Sequence, residues 1–65
     1  MYYKTLSARL IRCGWKCIEE DHNPGEVYFF KWKEPAWPDE VHIIADENKD
    51  GSPGKVLATR RFETA

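Results

Sequence analysis

The sequence predicts an α+β fold: one N-terminal α-helix packed on an antiparallel sheet of three or four strands, in the order α-β-β-β-β. Three observations carry this expectation. Tyr3, Leu6, Leu10 and Cys13 recur at the spacing of one helical face. The stretch Val27–Lys33 gathers Tyr28, Phe29, Phe30 and Trp32, a composition that suits a pleated, half-buried surface. The segments Asp21–Gly25, Glu34–Asp39 and Asp46–Gly54, rich in Pro, Gly, Asp and Asn, cut the remainder into strand-length pieces.

The helix is expected at about Thr5–Cys13, with Ala8 and Ile11 widening its apolar stripe. Thr5 suits the N-cap, Gly14 suits the left-handed position just past the end, and Arg12 lies close to the negative end of the helix dipole. Trp15–Glu20 reads as a strand with Trp15, Cys17 and Glu19 on one face and Lys16, Ile18 and Glu20 on the other. The turn at Asp21–Gly25 then makes residues 15–33 a β-hairpin. Alternation puts Tyr28, Phe30 and Trp32 on the core face of the second strand, and Val27, Phe29, Lys31 and Lys33 on a partly wet face. The alternative is a central strand buried on both faces near Val27–Phe30. Pro35 and Pro38 fix φ and remove donors, so that strand stops there. Glu40–Ala45 is a third strand, with Val41, Ile43 and Ala45 on one face and His42 and Ile44 on the other. Lys55–Glu63 reads as a fourth strand that closes a hairpin with Val41–Ala45. A short helix is the alternative, since Leu57 and Arg61, or Ala58 and Phe62, would meet on one.

The 65 residues are expected to form a single small domain over residues 1–65, in which three Trp, three Tyr and three Phe supply most of a marginal core. Ten basic and eleven acidic residues give a net charge of −1, which argues against a general polyanion binder. The charges are segregated: Met1–Ile18 is basic, Asp39–Asp50 is acidic and Lys55–Arg61 is basic again. No membrane-length apolar run and no signal-peptide core appear, so a cytoplasmic location is expected. Cys13 and Cys17 are too few for a disulfide scaffold and are expected to be buried small hydrophobes.

Site chemistry is sparse. Asp46-Glu47-Asn48-Lys49-Asp50-Gly51 matches the first half of a calcium loop, but position twelve is Leu57 where a bidentate Glu belongs, and Pro53 interrupts the second half. Cys13, Cys17, His22 and His42 have the elements of a zinc site, and the C-x₃-C spacing is within the usual range. But Gly14-Trp15 separates a helix end from a strand start and the histidines lie on a turn and on another strand, so the ligands are not expected to converge. Ser7 and Ser52 have no neighbouring His, and Gly51-Ser52-Pro53-Gly54-Lys55 lacks the spacing and Ser/Thr of a phosphate loop. The expectation is a protein that is not an enzyme and uses no cofactor or metal.

The order of helix, Gly14-Trp15, strand, turn and aromatic strand resembles the HicA toxin family, small RNases with a dsRBD-like fold. That resemblance implies a final helix opening at Ser52–Leu57. The family's Gly-Ser-His motif falls near Gly25-Glu26-Val27, which holds no His, so RNase activity is not implied. In size and single-domain build the chain also resembles small phage or mobile-element accessory proteins, which act by occupying a partner's surface.

The function expected is therefore protein–protein binding, of the kind a phage-type inhibitor uses. It would centre on Trp37, a hot-spot residue type held between two prolines, with Asp39, Glu40, Asp46, Glu47 and Asp50 steering a partner that has a basic surface. The alternative is nucleic-acid binding through Phe29, Lys31, Lys33, Arg60 and Arg61, where phosphate contacts combine with a stacking ring. No membrane partner is expected.

Overall fold

A computed structural model describes residues 1–63. Helix α1 (Tyr3–Arg12) is followed by β1 (Lys16–His22), β2 (Tyr28–Lys33), β3 (Asp39–Glu47) and β4 (Pro53–Glu63). The strands form one antiparallel sheet in the spatial order β1-β2-β3-β4, each joined to its neighbour by a hairpin connection. This is the α-β-β-β-β arrangement expected. The final element is a strand, so the helix implied by the HicA resemblance and by the 57/61 or 58/62 spacing is not formed. Val41 opposite Arg61 and Ile43 opposite Thr59 show what decides it: pairing along β3 satisfies the backbone of β4.

Helix α1 starts two residues earlier than its sequence suggests. Its N-cap is Tyr2, without a side-chain cap, and Thr5 lies inside the helix. Tertiary contacts set that start. Tyr2 bridges to Lys55, the Val56 N–H donates to the Met1 carbonyl, and the Tyr3 ring stacks on Phe30 at 3.8 Å. The C-terminus follows the sequence more closely. Gly14 has φ +93°, its N–H donates to the Ile11 carbonyl and the Trp15 N–H to that of Leu10. That pair of bonds closes the last turn, and Leu10 and Trp15 both pack on the core.

The core lies between α1 and one face of the sheet. It consists of Tyr3, Phe30, Trp32, Ile43 and Ala45, with Leu6, Leu10, Trp15, Tyr28, Val41 and Val56 packed around it. Phe30 is 1% exposed and Trp32 3%, as their shared face with Tyr28 requires. Trp32 Nε1 donates to the Tyr3 hydroxyl at 3.0 Å, which satisfies the one polar atom that burying the indole would otherwise strand.

Two expectations fail here. Cys13 and Cys17 are both exposed: Cys13 caps a helix end, and Cys17 sits on an outer strand. The face assignment within β1 also breaks. Cys17 lies opposite Trp32 but Glu19 opposite Lys31, because an irregularity at Ile18 inserts one residue. An extra residue moves all that follows to the other face, so Glu19 and Asp21 point away from the helix side of the sheet, while Glu20, still exposed, and His22, half-buried, share that side with Phe30 and Tyr28.

Candidate functional site: the uncovered sheet face

Helix α1 covers one face of the sheet. The other face is built by the alternate residues, and the register gives its layout row by row. Asp21, Phe29, Ile44 and Ala58 form one row, Glu19, Lys31, His42 and Arg60 the next, and Lys33, Glu40 and Phe62 the third. Directly opposed side chains are neighbours on one face. His42 therefore sits at the centre, its ring 5.4 Å from Phe29 in an edge-on contact and 4.4 Å from Phe62. Phe29, His42, Ile44, Ala58 and Phe62, with Thr59 and Arg60, line a shallow hollow of about 240 Å³.

Charge frames that hollow. Lys31 Nζ lies 3.8 Å from Glu19, and His42 Nε2 lies 3.2 Å from Glu40. Lys33 Nζ reaches the carbonyls of Trp37 and Pro38 at 3.4 Å each, which ties the β2–β3 loop to this face. Arg60 makes no ion pair among the described residues. Trp37 stands at the same end of the sheet, 58% exposed.

The acidic residues singled out in the sequence do not converge. The nine residues of β3 separate Asp39 from Glu47 by roughly 27 Å at the usual strand rise. Most of these carboxylates are also occupied within the fold. Asp39 is 5% exposed and takes the Arg61 guanidinium, with Nε at 2.6 Å. Glu40 pairs with His42, and Glu47 Oε2 lies 2.7 Å from His22 Nε2, off the ring's hydrogen-bond direction. Asp46 accepts the Lys55 N–H at 2.5 Å. Asp50 accepts both the hydroxyl and the N–H of Ser52, and those two bonds hold its carboxyl below the usual carboxylate range.

The calcium-like loop is thus tied up internally: Asp46 and Asp50 serve as acceptors, and Asn48 Nδ2 donates to Ser52 Oγ and the Pro53 carbonyl. Among the described residues no three His, Cys, Asp or Glu side chains are grouped to hold a metal ion. Cys17 and His22 share the helix side of the sheet, whereas His42 is on the other.

Of the basic set, Phe29, Lys31, Lys33 and Arg60 share the uncovered face. Arg61 falls on the helix side, opposite Val41, and pairs with Asp39. The residues the sequence reading missed are His42, Ile44, Ala58 and Phe62. Alternation within β3 and β4 hints at them, but only the pairing of those strands with β2 brings them beside Phe29.

Among the described residues no helix is long and apolar enough to cross a membrane. Compared with protein-family models, with curated proteins and with solved structures, the chain matches none.

Proposed function

We propose that this protein is a non-catalytic binding module that contacts another protein through the uncovered sheet face, with the Trp37 loop extending the contact at one end. The observation that carries the reading is the hollow among Phe29, His42, Ile44, Ala58 and Phe62, an apolar patch with aromatic walls on an otherwise charged surface. A partner's apolar or aromatic side chain fits such a hollow. Arg60, with no acid of its own, favours a carboxylate beside that side chain. The rigid Trp37 loop adds a second anchor at low entropic cost. The near-zero net charge agrees with a protein partner better than with a phosphate backbone.

The test is capture from the native host with tagged protein, followed by nuclease treatment. The reading predicts a partner that survives nuclease, is lost with Phe62→Asp and is weakened by Trp37→Ala, while both variants keep the wild-type melting transition. Capture indifferent to both substitutions contradicts it.

A second reading, single-stranded nucleic-acid binding, is favoured by one feature: Lys31 and Arg60 flank the His42 ring in one row, with Phe29 adjacent. Phosphate contacts on either side of a stacking ring suit a single strand. It predicts oligonucleotide binding that falls with salt and is lost in the Lys31→Ala/Arg60→Ala double variant.

A further inference from the structure

The two outer strands of the sheet carry opposite charge. On β1, Glu19, Glu20 and Asp21 stand in sequence, and neither Glu20 nor Asp21 makes an ion pair among the described residues. On β4 the corresponding stretch is Arg60-Arg61, with Arg60 unpaired. Each outer edge also presents unbonded backbone groups. Among the described residues β1 pairs with β2 alone. The first part of β4 is covered by Met1 and Tyr2 through Val56 and Lys55, which leaves Leu57–Glu63 open.

Charged residues on an edge strand normally block edge-to-edge pairing. Here they block only two of the three combinations. Two β1 edges would bring acids together, and two β4 edges would bring arginines together. A β1 edge against a β4 edge brings acid to arginine. The direction of the strands allows it, because β1 and β4 lie antiparallel at opposite sides of an alternating four-stranded sheet, so a second copy continues the alternation.

We propose that this protein associates with further copies of itself head to tail, β4 of one copy adding to β1 of the next. The matching faces select a register with Arg60 opposite the next copy's Asp21 and Arg61 opposite its Glu20. Arg60 and Asp21 both lie on the uncovered face, and Arg61 and Glu20 both on the helix side. Such a contact is not self-complementary, so each added copy leaves one β1 and one β4 edge free, and the series stays open unless the rotation between copies closes it into a ring. It stands on the edges and shares only Arg60 with the binding role proposed for the uncovered face.

Sedimentation velocity on the purified chain, over a concentration series at low ionic strength, tests it. The average mass is expected to climb past that of a dimer with concentration and to fall back with added salt. Asp21→Lys and Arg60→Glu, each alone, are expected to push association to at least tenfold higher concentration. An equimolar mixture of the two restores it, because each variant supplies the charge the other lacks. A wild-type chain that stays monomeric at millimolar concentration, or stops at a dimer, overturns the proposal. So does a mixture that assembles no better than its components. Should either reversal lose its cooperative melt, Asp21→Ser and Arg60→Ser take its place, with weakened association expected in each and, on mixing, recovery of a mixed dimer through the one intact Arg60–Asp21 contact but not of the longer series.

Discussion

The two faces of β2 differ by one residue of register and by nearly everything else. Phe30 and Trp32 are sealed beneath α1, whereas Phe29, Lys31 and Lys33, interleaved with them, look out on a face that no other described element covers. A single helix of ten residues can roof only one side of a four-stranded sheet. The aromatic content of the strand thus divides into rings that hold the fold and a ring available for contact. The same residue type means different things on adjacent positions, and the pleat decides which.

That division is broken most severely by Trp32→Ala. The loss is expected to be about 3–5 kcal/mol, as for other buried aromatics, which approaches the whole stability of so small a domain. Urea unfolding reads it directly, and a nearly unchanged midpoint would place Trp32 on the wrong face.

A subtler change within the core is Tyr3→Phe. It keeps the stacked ring and removes the acceptor of the Trp32 N–H, at an expected cost of about 1–3 kcal/mol for a stranded buried donor. The same residue gives a pH signature. Burial pushes the Tyr3 phenol well above its ordinary value of 10.0, outweighing the lowering from the Trp32 hydrogen bond. The folded chain therefore keeps a proton that the unfolded chain gives up. Tyr3's contribution is complete below pH 10.0 and is lost as the pH rises from there towards the folded-state value. Melting temperatures measured through alkaline pH should fall more steeply for wild type than for Tyr3→Phe.

Gly54→Ala acts at the far end of the sheet. A Cβ there would overlap Asp46 Oδ1 and Asn48 Oδ1, and both side chains are held by the bonds that shape the β3–β4 turn. A loss of about 1–3 kcal/mol is expected, of the order seen for overpacked sites. Loop amides should exchange faster in this variant while those of Phe30 and Ile43 keep their protection.

The smallest effect belongs to the uncovered face. Phe62→Ser, at a partly exposed ring packed on His42, should cost about 1 kcal/mol or less while abolishing partner capture.

Much of this plan is legible in the sequence, for reasons that can be named. Hydrophobic period gives the helix, the aromatic strand and its inward face. Gly14 and the Pro/Gly segments give the breaks. The reading fails where one segment answers to another. Thr5 is a good cap by local chemistry, but the pairing of Met1 and Tyr2 with β4 starts the helix before it. The irregularity at Ile18 reverses the faces of β1 beyond it, and no residue type in Cys17-Ile18-Glu19 announces it. Asp39–Asp50 looks like one acidic surface because it is contiguous in sequence, yet a nine-residue strand stretches it along the whole sheet and internal partners occupy most of it. The uncovered face is assembled from three strands, so only their register reveals it.

The central claim, that one face of the sheet carries stability and the other is free for contact, is tested most directly by paired urea unfolding of Phe30→Ala and Phe29→Ala. The two rings are adjacent in sequence and identical in chemistry. The account predicts a loss of about 3–5 kcal/mol for Phe30→Ala and about 1 kcal/mol for the half-buried Phe29→Ala. Equal losses, or a larger one at Phe29, would contradict it.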